Sequence, residues 1–526
     1  MSPSARLIPD QLRWAAEHHP DEIGFTVVGA GDLTLGDWHA RSSRVARGLV
    51  GLGVRPGDRV ALALTPQDGL AFVVGYAAAH KAGAVAVPVN VRLSPREFVG
   101  ILRHCEPAVV VVSDSLRHLV TDLAEPRPTI VTVGAAGGGE LGWESLLDED
   151  AADLQVPRDP EDLAEILYTS GTTRTPKGVA VRHCNSALFV YAEPAWSGRV
   201  WVHASPMFTM SGLTFVYQPM RMGMRTVYQP KFDTRQFHQL VRDYQPQACF
   251  LVPAMIELLL ADEETKAVDL SCIELVSIGS APIAPSTLTE FQQLVPQAAV
   301  SNSYSMTEAG TAYFVMPKGE LANHPGSVGQ PVPPAEVRIV DDNGADVPTG
   351  TVGHVQVKPA GRMREYYREP DASKEVFAAD GWLRTGDLGR FDDDGFLYIA
   401  GRAKDVIIRG GLKVHASDVE AALYEHDAVQ EAAVVGAPHR VLGEDVAAFV
   451  VLRDGAQCEA TELIDFCRQR LADYMAPRRI HFREALPRNA TGKVLKRDLV
   501  AELAESAQPA ATAGGGPSTR SATRAR

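Results

Sequence analysis

Apolar positions in the first third of the chain switch repeatedly between two spacings. Across residues 35–54 they recur every three or four positions, which predicts an amphipathic helix, whereas residues 60–64 form a short apolar run of strand type. Residues 70–81 read as a second helix and 84–87 as a second strand. Ser94 and Glu97 carry the spacing of a capping box ahead of a helical stretch at 98–105, and residues 109–112 are an unbroken valine strand. Strands apolar on both faces, alternating with helices, predict an α/β fold built on buried parallel sheet. The rhythm returns with strands at 200–202, 226–228, 249–252 and 275–278, so two similar sheets are expected side by side. Residues 341–353 are dense in turn formers and short β runs such as 354–357 follow, which predicts a small barrel-like piece. A capped helix from Ser417 and a strand at 432–435 mark a smaller α/β unit near the end.

A chain of 526 residues exceeds one compact core, so two or more domains are expected. A net charge of −14 opposes nonspecific attraction to nucleic acid or to an anionic membrane, which leaves small-molecule chemistry. Cys105, Cys184, Cys249, Cys272, Cys458 and Cys467 contain no CxxC pair, predicting free thiols in a reducing cytoplasm and no zinc site. The opening MSPSARLIPDQ lacks a charged start before an apolar core, and no apolar run approaches spanning length. A cytoplasmic location without membrane insertion is the expectation.

Candidate chemistry begins with YTSGTTRTPKG, residues 168–178. The hydroxyls of Thr169, Ser170, Thr172 and Thr173 and the unhindered amides near Gly171 can donate to a phosphate chain, and Lys177 adds a mobile charge. It is not a Walker loop, because Pro176 precedes the lysine and Gly178 follows it. A polar surface hairpin would carry the same residues. NSYSMTE, residues 302–308, offers Tyr304 to stack on a purine and the Glu308 carboxylate to hold Mg²⁺ on phosphates. GWLRTGDLG, residues 381–389, places Asp387 in what reads as a tight turn, where a carboxylate can accept both hydroxyls of a ribose; an Asx turn is the plain alternative. GRAKDVIIRGGLKV, residues 401–414, alternates charge and carries the pair Gly410-Gly411, and the shift in composition puts a domain boundary at 402–404. PRNATGKVLKRDL, residues 487–499, presents Lys493 after a glycine in a turn leading into a helix. His203, ahead of Ser205-Pro206-Met207-Phe208, reads as a packing histidine with its hydrogen bonds satisfied.

In this order the motifs resemble the adenylate-forming superfamily of acyl-CoA synthetases, peptide-synthetase adenylation domains and luciferases, across residues 10–505. The resemblance implies a large N-terminal ATP- and acid-binding domain at 1–401, made of two αβ sheets plus a β-barrel. A hinge at 402–404, a small mobile α+β domain at 405–505 and a disordered tail at 506–526 complete the implied organisation. It implies that Thr169, Ser170, Gly171, Thr172, Thr173 and Lys177 bind the ATP phosphates and that Glu308 binds Mg²⁺. Asn302, Tyr304, Ser305 and Thr307, with the backbone of Gly279, Ser280 and Ala281, would flank adenine, while Asp387 and Arg402 would hold ribose. His203, Phe208, Thr209, Gly212 and Ser305 would surround the acid. Lys493, Thr172 and Glu308 are the implied catalytic residues. Lys493 would bridge the acid carboxylate and the α-phosphate, where a cation between two anions lowers the barrier in a dry site. The small domain would then turn about Lys404, withdraw Lys493 and bring Gly410-Gly411 to the site so that a thiol can attack the acyl-adenylate.

The sequence departs from the family pattern at particular positions. Arg174 stands at a usual glycine of the phosphate loop, and Ser305 replaces the usual glycine beside the acyl pocket. Thr209 stands where many acid-CoA ligases carry a histidine or another aromatic that gates the thiol tunnel. The methionines Met207, Met210, Met220, Met222 and Met224 suit a fatty or aromatic acid. The expected reaction is ATP- and Mg²⁺-dependent activation of such an acid as acyl-AMP, followed by transfer to the thiol of CoA. One alternative keeps adenylation but loads an acyl carrier protein, or activates nitrite for attack by an aryl amine. A nonenzymatic nucleotide-binding regulator is the other, opposed by the joint presence of Lys177, Glu308, Asp387 and Lys493.

Overall fold

The structure is a computed structural model that describes the chain apart from residues 1–6, 122, 124–126, 135–140, 155, 170–175, 187–194, 282, 311–313, 334, 359–360, 490–492 and 508–526. It divides into two compact units, Met1–Ala403 and Lys404–Arg526.

The first unit holds the two large sheets. One orders Ala299–Asn302, Leu275–Ile278, Ala248–Leu251, Val200–His203, Arg225–Tyr228, Ile23–Val27 and Gly31–Thr34, all parallel except the last, which returns as a hairpin. The other orders Glu365–Tyr366, Lys177–Arg182, Leu163–Thr169, Val85–Pro88, Arg59–Ala63, Val109–Ser113, Thr129–Val133 and Leu141–Gly142. In this second sheet the first two strands run antiparallel to their neighbours. The valine strand is buried along its whole length, because helices cover both faces of the sheet, and its one polar residue, Ser113, comes at the end.

Helix boundaries follow local chemistry. Leu35–Gly51 starts where the Thr34 side chain accepts from the Asp37 N–H, and the Ser94–Glu97 capping box forms in both directions ahead of Pro95–Cys105. Gly69–Lys81 is buried on nearly all sides and so carries no polar stripe. Its last residue, Lys81, is fully buried and donates to the His39 carbonyl at 2.7 Å and to Ser43 Oγ at 2.7 Å.

The barrel-like piece takes the form of a four-stranded antiparallel sheet, Glu336–Val340, Gly353–Lys358, Leu383–Phe391 and Leu397–Arg402. The second unit is a five-stranded sheet with helices Ala416–Tyr424, Ala460–Arg468 and Lys496–Ala507. Two expectations need correction here. The helix at Ser417 begins at Ala416 and the preceding His415 makes no side-chain cap, so Ser417 lies inside the first turn. The helix Lys496–Ala507 includes Ser506 and Ala507, the first residues of the stretch expected to be disordered. All six cysteines are free thiols, and among the described residues no helix is long and apolar enough to cross a membrane.

Candidate active site

The candidate phosphate loop lies between two paired strands. Leu163–Thr169 and Lys177–Arg182 pair antiparallel with Thr169 opposite Lys177, so the strands fix both ends of the loop. Ser170, Gly171, Thr172 and Thr173 lie outside the described residues. Gly178 is required because a Cβ there would stand 2.9 Å from Ile166 Cγ2 and 3.2 Å from the Tyr168 ring. The Lys177 ammonium lies 4.8 Å from the centre of the Tyr366 ring, and the Tyr366 hydroxyl donates to Glu308 Oε1 at 2.8 Å. Burial, then the Glu308 carboxylate, push the Tyr366 phenol above its ordinary range, so it stays protonated and remains the donor. One tyrosine thus joins the loop lysine to the candidate metal carboxylate. Sequence reasoning passed over it; the adjacent aromatics Tyr366-Tyr367 in a charged stretch were the available signal.

A second cluster gathers the nucleoside candidates. Asn302 ends its strand, and Glu308 sits in the short helical turn Thr307–Ala309. Gly310 closes that turn at φ 67°, with the Gly361 carbonyl 2.2 Å from where a Cβ would be. The Tyr304 hydroxyl donates to Asp387, whose carboxylate also holds Arg402 Nε at 2.7 Å. Burial and the Asp387 carboxylate raise the Tyr304 phenol well above its usual value, which keeps it a donor. Asp387 corrects the sequence reading. It lies in the strand Leu383–Phe391, opposite Arg402, and not in a tight turn; Gly386 at φ 75° sits where the pairing slips against His354–Gln356. Gly279, Ser280 and Ala281 follow the strand Leu275–Ile278, with Ser280 in left-handed backbone at φ 72°. A Cβ on Gly279 would lie 3.5 Å from the Ser303 carbonyl, which brings this segment beside Tyr304. Ser305 is exposed and Thr307 opens the Glu308 turn.

On the acid side, Thr209 is a helix cap. Its Oγ1 accepts from the Gly212 N–H at 3.1 Å and donates to the Pro206 carbonyl at 2.7 Å, starting the helix Met210–Val216. Gly212 is there because a Cβ would come within 2.1 Å of the Pro206 carbonyl. Phe208, with Pro206, Met207, Phe72 and Tyr228, lines an apolar cavity of about 10 Å³. His203 is 1% exposed, but its hydrogen bonds are not satisfied as expected: neither ring nitrogen has a partner among the described residues. The rings of Phe215 and Tyr228 pack against it, with centroids at 4.6 and 5.0 Å, and the Tyr228 hydroxyl makes no hydrogen bond to it.

The sequence pattern of the AMP-binding enzyme family matches residues 12–367, and that of the AMP-binding enzyme C-terminal domain matches residues 418–493. The chain belongs to the AMP-binding enzyme family. It is 33% identical to a fatty acid–[acyl-carrier-protein] ligase, ScoC, of Streptomyces coeruleorubidus, covering 94% of this chain and 96% of that one. It is 31% identical to a long-chain-fatty-acid–CoA ligase of Bacillus subtilis, with 94% of each covered. Among solved structures, ATP-bound MatB from Rhodopseudomonas palustris matches with a TM-score of 0.87 and 30% identity over 95% of this chain and all of that one. The protein is an ATP-using, adenylate-forming acid ligase.

The second unit of this AMP-binding enzyme carries the remaining candidates. Lys493 is held by its backbone, its N–H donating to Asn489 Oδ1 at 2.8 Å and its carbonyl accepting from the Asn489 N–H at 2.9 Å, just ahead of Lys496–Ala507. Gly410 and Gly411, at φ 59° and 86°, form the two-residue turn between Val406–Arg409 and Leu412–His415, which demands left-handed backbone at both positions. Lys404 lies in the short turn Ala403–Asp405. Against the expectation of no zinc site, the described residues hold one cluster, His426, Cys458 and Glu462, with ligand atoms within 4.8 Å. His426 Nδ1 accepts from the Ala428 N–H at 3.2 Å, so Nε2 carries the proton and faces Glu462 at 3.6 Å, a tautomer unsuited to ligating a metal.

Proposed function

We propose that the protein activates a carboxylic acid, fatty or aromatic, as its acyl-adenylate and passes the acyl group to the thiol of CoA. A carboxylate oxygen forms a bond to the α-phosphorus of ATP as the bond to the β-phosphate breaks and pyrophosphate leaves. The thiol then bonds to the acyl carbon, releasing its proton and AMP. The observation that carries this reading is the linkage of separate sequence motifs within the first unit: Lys177 to Glu308 through Tyr366, and Tyr304 to Asp387 and Arg402.

Lys177, with Thr169 and the hydroxyls of the intervening loop, takes the phosphates. Tyr304 and the backbone at Gly279–Ala281 face the base, and Asp387, oriented by Arg402 and Tyr304, accepts from the ribose. Glu308 fits Mg²⁺: it is a half-buried hard oxygen donor beside the phosphate loop, with Oε1 bound by Tyr366 and Oε2 without a partner among the described residues. Bound there, Mg²⁺ would neutralise phosphate charge. Lys493 brings the two anions together for the first step, and Lys404 is the pivot that exchanges it for the Gly410-Gly411 turn in the second.

A carrier-protein thiol is the second reading of the acceptor, favoured by the similarity to ScoC. Pyrophosphate release over a panel of acids, with CoA, with a phosphopantetheinylated carrier protein and with neither, tests both. Acid-dependent release followed by CoA thioester supports the first reading, thioester only on the carrier supports the second, and release driven by nitrite with an aryl amine but by no acid overturns both.

A further inference from the structure

One face of the first sheet carries buried nitrogens without a partner among the described residues. Tyr228, His203, Phe250 and Ser277 stand in register on adjacent parallel strands and form a single row across that face. Trp201, two residues before His203, projects on the same side. The helix that Thr209 caps lies over them: the Phe215 ring is 4.6 Å from His203, 5.5 Å from Trp201 and 5.3 Å from Phe250. The row connects with the candidate site at both ends. Ser277 Oγ is 2.9 Å from Ser303 Oγ, the residue before Tyr304, and the Phe250 ring is the nearest neighbour a Cβ on Gly279 would meet, at 3.3 Å. At the other end, Tyr228 lines the cavity shared with Phe208 and with Met207, an unbranched side chain that gives way readily.

Both ring nitrogens of His203 and the indole Nε1 of Trp201 are buried without a partner among the described residues. Buried polar atoms are almost always bonded, and a phenylalanine would suit this aromatic wall at no such cost. We infer that His203 is a specificity residue that hydrogen-bonds a neutral hydroxyl at the far end of an acid substrate with an aromatic or cyclic body. This rests on the acid-activating reading above. Burial alone drives the imidazole down to about 3, so the ring is neutral and offers one donor and one acceptor. A hydroxyl is likewise both donor and acceptor, and the Trp201 N–H adds a second donor.

The test compares matched acids: phenylpropionate with its ring-hydroxylated forms, and decanoate with its terminally hydroxylated form, as kcat/KM for pyrophosphate release. The wild type should favour at least one hydroxylated aromatic acid over its parent by about 10-fold or more. His203→Phe should abolish that ratio and melt no lower than wild type, while His203→Gln, which keeps a donor and an acceptor, should restore part of it. A ratio unchanged in His203→Phe overturns the inference, as does a wild type indifferent to the hydroxyl or a variant that loses both acids and its stability together. Release with parent acids but no discrimination sinks this inference alone; release with no acid at all sinks it together with the acid-activating reading.

Discussion

Tyr304→Phe separates holding the Asp387 carboxylate from binding the nucleotide, because it removes one hydroxyl and keeps the ring. That hydroxyl donates to Asp387, which is 5% exposed and holds Arg402 across two paired strands. A hydrogen bond to a charged acceptor contributes about 1.5–3 kcal/mol. Arg402 remains in place, but its side chain is 35% exposed and therefore screened, so the lower part of that range, about 1.5–2 kcal/mol of folding stability, is the expected loss. On the proposed reading, in which the ring faces the base and the carboxylate takes the ribose, ATP affinity should change by no more than about 3-fold, since both groups are kept. Asp387→Asn should behave oppositely at the ligand. It removes the charged group proposed to accept from both ribose hydroxyls, which should cost about 2–3 kcal/mol, roughly 30- to 150-fold in Kd. Denaturant midpoints for the single and double variants, with calorimetric ATP titrations, give the cycle; a coupling of about 1 kcal/mol or more between the two residues is expected. If Tyr304→Phe leaves stability untouched and weakens ATP as much as Asp387→Asn, the phenol is a nucleotide ligand and the tether argument fails.

Buried Lys81 is held down to about 7 by desolvation, against 10.5 in the unfolded chain. The unfolded state therefore binds more protons across pH 7 to 10.5, so this group makes stability rise with pH in that window, by up to about 1.4 kcal/mol per unit, and adds no slope below it. The stability difference between wild type and Lys81→Met, measured in urea at pH 7 and 9.5, should grow with pH; a constant difference refutes the shift. Lys493→Ala should slow ATP–pyrophosphate exchange by roughly 100-fold or more while sparing thioester formation from supplied acyl-adenylate, and equal losses in both assays would mean that one arrangement does all the chemistry. Ser280→Gly should raise stability by about 0.5–1 kcal/mol by relieving left-handed backbone, with pyrophosphate release retained; lower stability in urea would show that the serine side chain supplies an unseen contact.

What was legible in the sequence follows the range of the forces involved. Strands such as Val109–Ser113 and the capping box at Ser94 announce themselves because burial on two faces and a reciprocal cap are written into adjacent residues. The phosphate loop and Glu308 were visible as composition. Tyr366 was not: it matters because its strand pairs with Lys177–Arg182, almost two hundred positions earlier, which places its ring under Lys177 and its hydroxyl on Glu308. Asp387 was found but misplaced. Gly386-Asp387 is a strong turn signal, yet left-handed glycine serves equally to let a strand slip its register, and only the partner strand decides between the two. The same ambiguity runs through Thr209, which a family pattern marks as a gate and local geometry uses as a cap. His203 shows the limit most clearly. In the sequence it looks like any core histidine, and it gains meaning only because the rings packed around it on a neighbouring strand and on the covering helix make no hydrogen bond to its nitrogens.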